Sequence, residues 1–325
     1  MLNIGIGAFC QSWSGIGPIC NCGHLNPRRL RDFNVRFHAV TQLSIIIPAT
    51  GSQESLDETL VSVLENRPSE CEVILVHRES YVDPYDLADE VRLVAADDVD
   101  EIGLWNTGLS HCQGRFVHML RPGMTVGNGW SEPALELFEQ DSDIGSVSPC
   151  IVASGYRKTI QGIDYDVVSG KRIVRDGRRR ILAPLLGVGF FRVSAIRFMH
   201  GYNLRFGNCA DVELGLRMRS ANYKCAKCES RIHSNSKLTY RPEKGYGGGR
   251  IRADLFRAAR RVQMASAVQG WLGACGESLN NGFGPGTVSS LWGRMAATYF
   301  TPDAAGTISM SAAEEPAKEQ QRRAA

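Results

Sequence analysis

The chain has 325 residues, 43% hydrophobic and 22% charged, a composition that fits one sizeable globular domain or two smaller ones. Its formal net charge of +3, from 37 Lys and Arg against 34 Asp and Glu, is too even for a protein whose main task is neutralising a phosphate backbone. No run approaches the roughly 18 consecutive apolar residues of a spanning helix, which excludes a transmembrane segment and leaves peripheral contact as the only membrane association to expect.

Residues 1–41 mix Gly, Cys and Pro with an arginine cluster (Arg28, Arg29, Arg31) and show no sustained period, so they read as an irregular leader. The start lacks the basic and apolar regions of a secretory signal, and the ten cysteines are scattered. Free thiols in a reducing cytoplasm are therefore expected. Cys10, Cys20, Cys22 and His24 match no ordinary zinc spacing.

Order begins at Leu43-Ser-Ile-Ile-Ile-Pro48, a continuous apolar run of the kind found in strands buried on both faces. Leu56, Leu60, Val63 and Leu64 then recur at helical spacing over 54–66, and 72–76 is a second buried strand, which makes a βαβ unit. The alternation continues with a short strand at 91–94, a helix over 101–112 and a strand over 115–120 closed by Pro122-Gly123. A helix at 130–140 and a strand at 144–152 follow, then a polar excursion over 156–180 with strand-like alternation around Val167 and Ile173, read as an insertion above the sheet. Residues 186–194, a helix from 211 to 221 and a strand over 223–232 complete a layered α/β domain. Cys225 and Cys228 fall on that last strand, where positions three apart face opposite ways. They are expected to be free thiols rather than zinc ligands.

Gly245 to Gly249 reads as a flexible linker before a helix over 252–271; the rival reading has its backbone N–H groups, with Arg250 and Arg252, closing on a diphosphate. The Ala-, Glu-, Lys-, Gln- and Arg-rich residues 301–325 are expected to be disordered.

Four segments in this order resemble the family 2 glycosyltransferases, over roughly residues 42–240. The first strand with its Pro-ended loop and the second strand match loosely. Leu104-Trp-Asn-Thr-Gly-Leu-Ser-His-Cys-Gln-Gly114 is similar to the family's Arg-Asn-x-Gly-x-x-x-Ala-x-Gly segment. Gly201-Tyr-Asn-Leu-Arg-Phe-Gly-Asn-Cys-Ala-Asp-Val-Glu-Leu-Gly-Leu-Arg217 resembles its acceptor-side turn. The resemblance implies a GT-A fold: a layered αβα domain at 42–240 with a mostly parallel central sheet and a Rossmann-like nucleotide-binding half. Residues 241–300 would then be a helical extension. It implies inverting transfer of a sugar from a nucleotide-sugar donor to a glycan or lipid-linked acceptor, with no nucleic-acid partner. A catalytically inactive binding or regulatory protein of the same fold is the alternative.

In that reading Asp211 is the base that deprotonates the acceptor, at a helix N-terminus whose dipole favours the carboxylate; a plain helix cap is the rival role. Pro48, Thr50, Glu79, Ser80, Asn106, Arg121 and His233 are the candidate nucleotide-binding residues. The family holds Mg²⁺ or Mn²⁺ with Asp-x-Asp directly after the strand matching 115–120, but Arg121-Pro-Gly123 stands there instead. Arg121 therefore becomes a candidate fixed counter-charge for the leaving diphosphate, with a turn-flanking surface arginine as its rival role. Asp-x-Asp strings occur elsewhere, at Asp98-Val-Asp100, Asp141-Ser-Asp143 and Asp164-Tyr-Asp166. Of these, Asp98 and Asp100 are the metal-ligand candidates, with helix initiation as their rival role.

Overall fold

In a computed structural model, residues 41–79, 81–97, 100–153, 159–167, 170–176, 179–235, 245–263, 275–276 and 284–299 are described. The expected leader (but for residue 41), the expected tail, Ser80 and Asp98 lie outside them. These described residues belong to one compact unit.

The apolar run at the start becomes β1 (Leu43–Pro48), buried at all six positions. It can be apolar on both faces because it is central: β2 (Cys71–Arg78) pairs with it in parallel on one side and β4 (Phe116–Leu120) in parallel on the other. The crossover is α1 (Gln53–Asn66), whose N-terminus is capped by Ser52 and which buries Leu56, Thr59, Leu60 and Val63. β3 (Arg92–Ala96) lies in parallel beyond β2. The chain thus winds outward through three strands and returns to place β4 against β1. This reversal opens a crevice at the carboxyl ends of β1 and β4.

Beyond β4 the sheet continues through four more strands, eight in all. β9 (Val188–Arg192) runs antiparallel between β4 and β6 (Ile144–Ala153). β10 (Lys224–Ser234) is parallel to β6, and the short β5 (Met124–Val126) is antiparallel at the edge. Six of the eight strands share one direction, so the expected mostly parallel sheet is present. Helices α2 (Glu101–His111), α3 (Glu132–Gln140), α4 (Val193–Phe198) and α5 (Ala210–Ser220) cover it. The excursion over 156–180 forms a separate two-stranded hairpin, β7 (Ile163–Asp166) with β8 (Lys171–Val174).

A histidine is among the polar residues buried in the core. His118 on β4 is fully buried, stacked 3.8 Å from the Phe190 ring, and its Nδ1 accepts from Trp130 Nε1. Burial lowers its pKa to about 3, so the ring is neutral and packs as an aromatic.

The expected linker at 245–249 is overturned, because α6 starts at Gly245 and runs to Gln263. The cause is packing against α7 (Pro285–Tyr299). A Cβ at Gly249 would collide with the backbone carbonyl of Ser290, and one at Gly293 with that of Tyr246. The glycines are there so that two helix backbones can touch. Arg252 bonds Ser290 Oγ across this contact, and Arg250 lies over the Tyr246 ring of its own helix. Gly249→Leu should therefore force α6 and α7 apart and cost roughly 1–3 kcal/mol or more, the usual overpacking range. Thermal denaturation checks this, and an unchanged midpoint would contradict it.

Candidate active site at the carboxyl end of the sheet

Arg121 leaves the end of β4, where the resemblance would place metal-binding acids. Its backbone N–H donates to Gly187 O at 2.9 Å. Its Nε and Nη2 both donate to Glu101 Oε1, at 2.8 and 2.6 Å, and the two side chains are 32% and 36% exposed. The guanidinium is thus aimed by the first turn of α2 and still reachable from solvent.

Asp100 caps the same helix, accepting from Gly103 N–H at 2.8 Å. On β1 and the loop that follows it, Pro48 is buried and Thr50 half-buried, with Thr50 N–H donating to Pro48 O. Glu79 is exposed in the turn after β2. Pro48 and Thr50 thus lie at the carboxyl end of β1 and Arg121 at that of the adjacent β4.

Asn106 has a different position. Its Nδ2 donates to Tyr202 O at 2.7 Å and its Oδ1 accepts from Tyr202 N–H at 2.9 Å. The carboxamide ties α2 to the turn at Tyr202, 96 residues away. Two residues on, a Cβ at Gly108 would lie 2.9 Å from Val76 Cγ2, so glycine here lets α2 sit directly on the sheet. Both polar and small positions of the segment thus have structural uses.

His233 lies within β10, opposite Thr125, and is exposed. The strand runs two residues past the expected end at 232, so His233 does not stand beyond it.

Asp211 is the second residue of α5. The cap reading is overturned: Cys209 holds the N-cap position, and Asp211 is buried rather than at a solvated helix end. Its Oδ1 accepts from Val212 N–H at 2.8 Å and its Oδ2 from Leu186 N–H at 3.1 Å. Arg172 of β8 spans both oxygens, with Nε 3.1 Å from each and Nη2 2.6 Å from Oδ2. This ion pair is almost fully desolvated, the side chains being 4% and 1% exposed. Glu213, two residues onward, is paired with Arg217, which also donates to the carbonyls of Met199 and Gly201. That acid fixes the turn.

Between Asp211 and Arg121 runs the Leu186–Gly187 segment, bonded to the carboxylate at one residue and to the Arg121 backbone at the next. Tyr202 is buried beside it and hydrogen-bonds the Gly187 backbone. Burial first, then the Asp211 charge, pushes the Tyr202 phenol well up, with Gly187 and Arg121 partly offsetting. Gly187 has φ 71°, and a Cβ there would sit 2.8 Å from Trp105 Cζ2. The Trp105 indole N–H has no hydrogen-bond partner among the described residues.

Among the described residues, the acids near the site do not fit a divalent cation, being committed to other partners. Glu101 accepts from Arg121, and Asp100 accepts from a helix N–H. Asp141 and Asp143 hold Lys224, and Asp164 holds Arg175. Among the described residues no three His, Cys, Asp or Glu side chains cluster to hold a metal. Cys225 and Cys228 lie on β10 as free thiols; burial raises both, Cys225 to about 12. Sequence reasoning missed Arg172, Glu101 and Tyr202. The basic run Lys171, Arg172, Arg175, Arg179, Arg180 was the one available signal for the first.

No protein-family model and no curated protein matches the sequence. Solved structures match its fold. The chain is similar to GalNAc-T7, solved with UDP, GalNAc and Mn²⁺, at 14% identity and a TM-score of 0.52 over 72% of this chain. The matched region is 54% of that protein, so the chain spans about half of its length. It is also similar to S. aureus TarS residues 1–349 in complex with UDP, at 14% identity and a TM-score of 0.51, covering 74% of this chain and 72% of that one. These neighbours are GT-A glycosyltransferases, and the fold of this chain is GT-A. No helix among the described residues is long and apolar enough to cross a membrane.

Proposed function

We propose that this protein is a glycosyltransferase of family 2 type, moving a sugar with inversion from a nucleotide-sugar donor to a glycan or lipid-linked acceptor. In this reading 42–240 is the transferase domain, α6 and α7 are an extension of it, and the setting is cytoplasmic. The observation that carries it is the convergence of Arg121 and Asp211 on the two ends of the Leu186–Gly187 segment, at the carboxyl end of a GT-A sheet.

The roles follow from charge. Asp211 takes the proton of the acceptor hydroxyl as its oxygen attacks the anomeric carbon. The bond to the diphosphate oxygen breaks, and Arg121 meets the charge that develops there. Glu101 positions Arg121. Pro48, Thr50, Glu79 and Ser80 supply the nucleoside side, and His233 is proposed at the far rim. Asn106 acts on the site through Tyr202.

A second reading has its own support. Asp211 is locked by Arg172, and Arg121 has a counter-ion already, as expected of a GT-A protein that binds without catalysing. Calorimetry with UDP and GDP, followed by a donor-hydrolysis assay, separates the two. Nucleotide binding with turnover supports the enzyme, binding without turnover supports the second reading, and no binding contradicts both.

A further inference from the structure

A carboxylate offers about four lone-pair positions, and those of Asp211 are taken by Arg172, Leu186 N–H and Val212 N–H. In this arrangement it has no position left to receive a proton from a hydroxyl. Arg172 stands on a hairpin outside the main sheet. That hairpin is rooted by the bridges Ile163↔Ala183 and Ile151↔Ile160, and its turn is closed by Gly170 N–H donating to Asp166 O at 2.8 Å. The turn meets the C-terminal helix: a Cβ on Gly170 would lie 3.2 and 3.3 Å from the two terminal nitrogens of Arg294. Arg294 is buried, with its guanidinium over the Phe256 ring of α6. A line of contact therefore runs from α7 through the hairpin tip to Arg172 and Asp211.

We propose that the β7–β8 hairpin is an autoinhibitory plug on Asp211, latched by Arg294, and that the site becomes competent when the hairpin lifts and withdraws Arg172. This rests on the reading of Asp211 as the base. β7 is fixed by the buried Ile163 and Tyr165, whereas β8 is half-buried or exposed at all four positions. Two-stranded hairpins have little independent stability, so β8 with Arg172 is suited to local opening without loss of the sheet.

The test is hydrogen exchange by mass spectrometry on the full chain, following the paired amides of β7 and β8 and using those of β1 as the internal control. It compares wild type, Arg294→Gln and Arg172→Gln. Exchange of the hairpin amides at least tenfold faster in both variants is expected, with β1 unchanged in Arg294→Gln; Arg172→Gln also orphans the Asp211 charge, so its β1 amides are expected to exchange faster too. Equal hairpin exchange in all three proteins overturns the plug, as does acceleration in Arg294→Gln that extends to β1. Donor hydrolysis in the same samples keeps the two claims apart. A severalfold rise in Arg294→Gln that disappears in Arg294→Gln/Asp211→Asn supports both. Faster hairpin exchange with no turnover in any variant supports the latch and overturns Asp211 as the base.

Discussion

Asp211→Asn is expected to lower sugar transfer by about 10²–10⁴-fold, the usual contribution of a positioned base. The amide keeps the size of the side chain and one acceptor oxygen for Leu186 N–H, so the turn at Leu186–Gly187 should persist. It has no proton affinity in the working range. Because Gly187, not Asp211, contacts Arg121, nucleotide binding should stay within about a factor of ten of wild type, 1.4 kcal/mol. Turnover and nucleotide affinity measured on the same preparation check this. A parallel fall of both would mean that the substitution has damaged the crevice as a whole, and unchanged turnover would remove Asp211 from the chemistry.

The second large effect is on stability. Arg172→Ala leaves Asp211 charged in a site where it is 1% exposed, and removing one partner of a buried pair typically costs about 3–5 kcal/mol. For a body of this size each kcal/mol shifts the midpoint by about 2–4 °C, so a drop on the order of 10 °C is expected. Replacing both partners by apolar residues, Arg172→Met/Asp211→Leu, removes the orphaned charge and should recover part of that loss. Denaturant unfolding of both variants is the check. A loss below about 1 kcal/mol in Arg172→Ala would show that the pair behaves as an exposed one.

The contrast between the two effects reflects what kind of information each residue carried. β1, β2 and β4 were legible because continuous apolar runs have few homes other than a sheet covered on both faces. β5 has three residues and α4 six, too short to show a period, and both were missed. The glycine run at 245–249 misled because glycine in isolation signals a flexible chain. Only the approach of α7, 40 residues later, turns it into a helix. At the site, the positions of Arg121 and Asp211 could be read from their order along the chain. Their partners could not, since Arg172 lies 39 residues before Asp211 on a separate hairpin and Glu101 lies 20 before Arg121. Ion pairs of this kind are tertiary, and no local period announces them.

The central claim is that a fixed arginine stands where a cation would meet the nucleotide diphosphate. It is tested most directly by titrating UDP and GDP into wild type and Arg121→Ala by calorimetry, with and without Mn²⁺. A charge-assisted hydrogen bond is worth about 1.5–3 kcal/mol. The account therefore predicts that one of the nucleotides binds wild type without Mn²⁺, and that Arg121→Ala weakens it roughly ten- to a hundredfold whether or not the ion is present. Binding that requires Mn²⁺ and is indifferent to Arg121→Ala would contradict it.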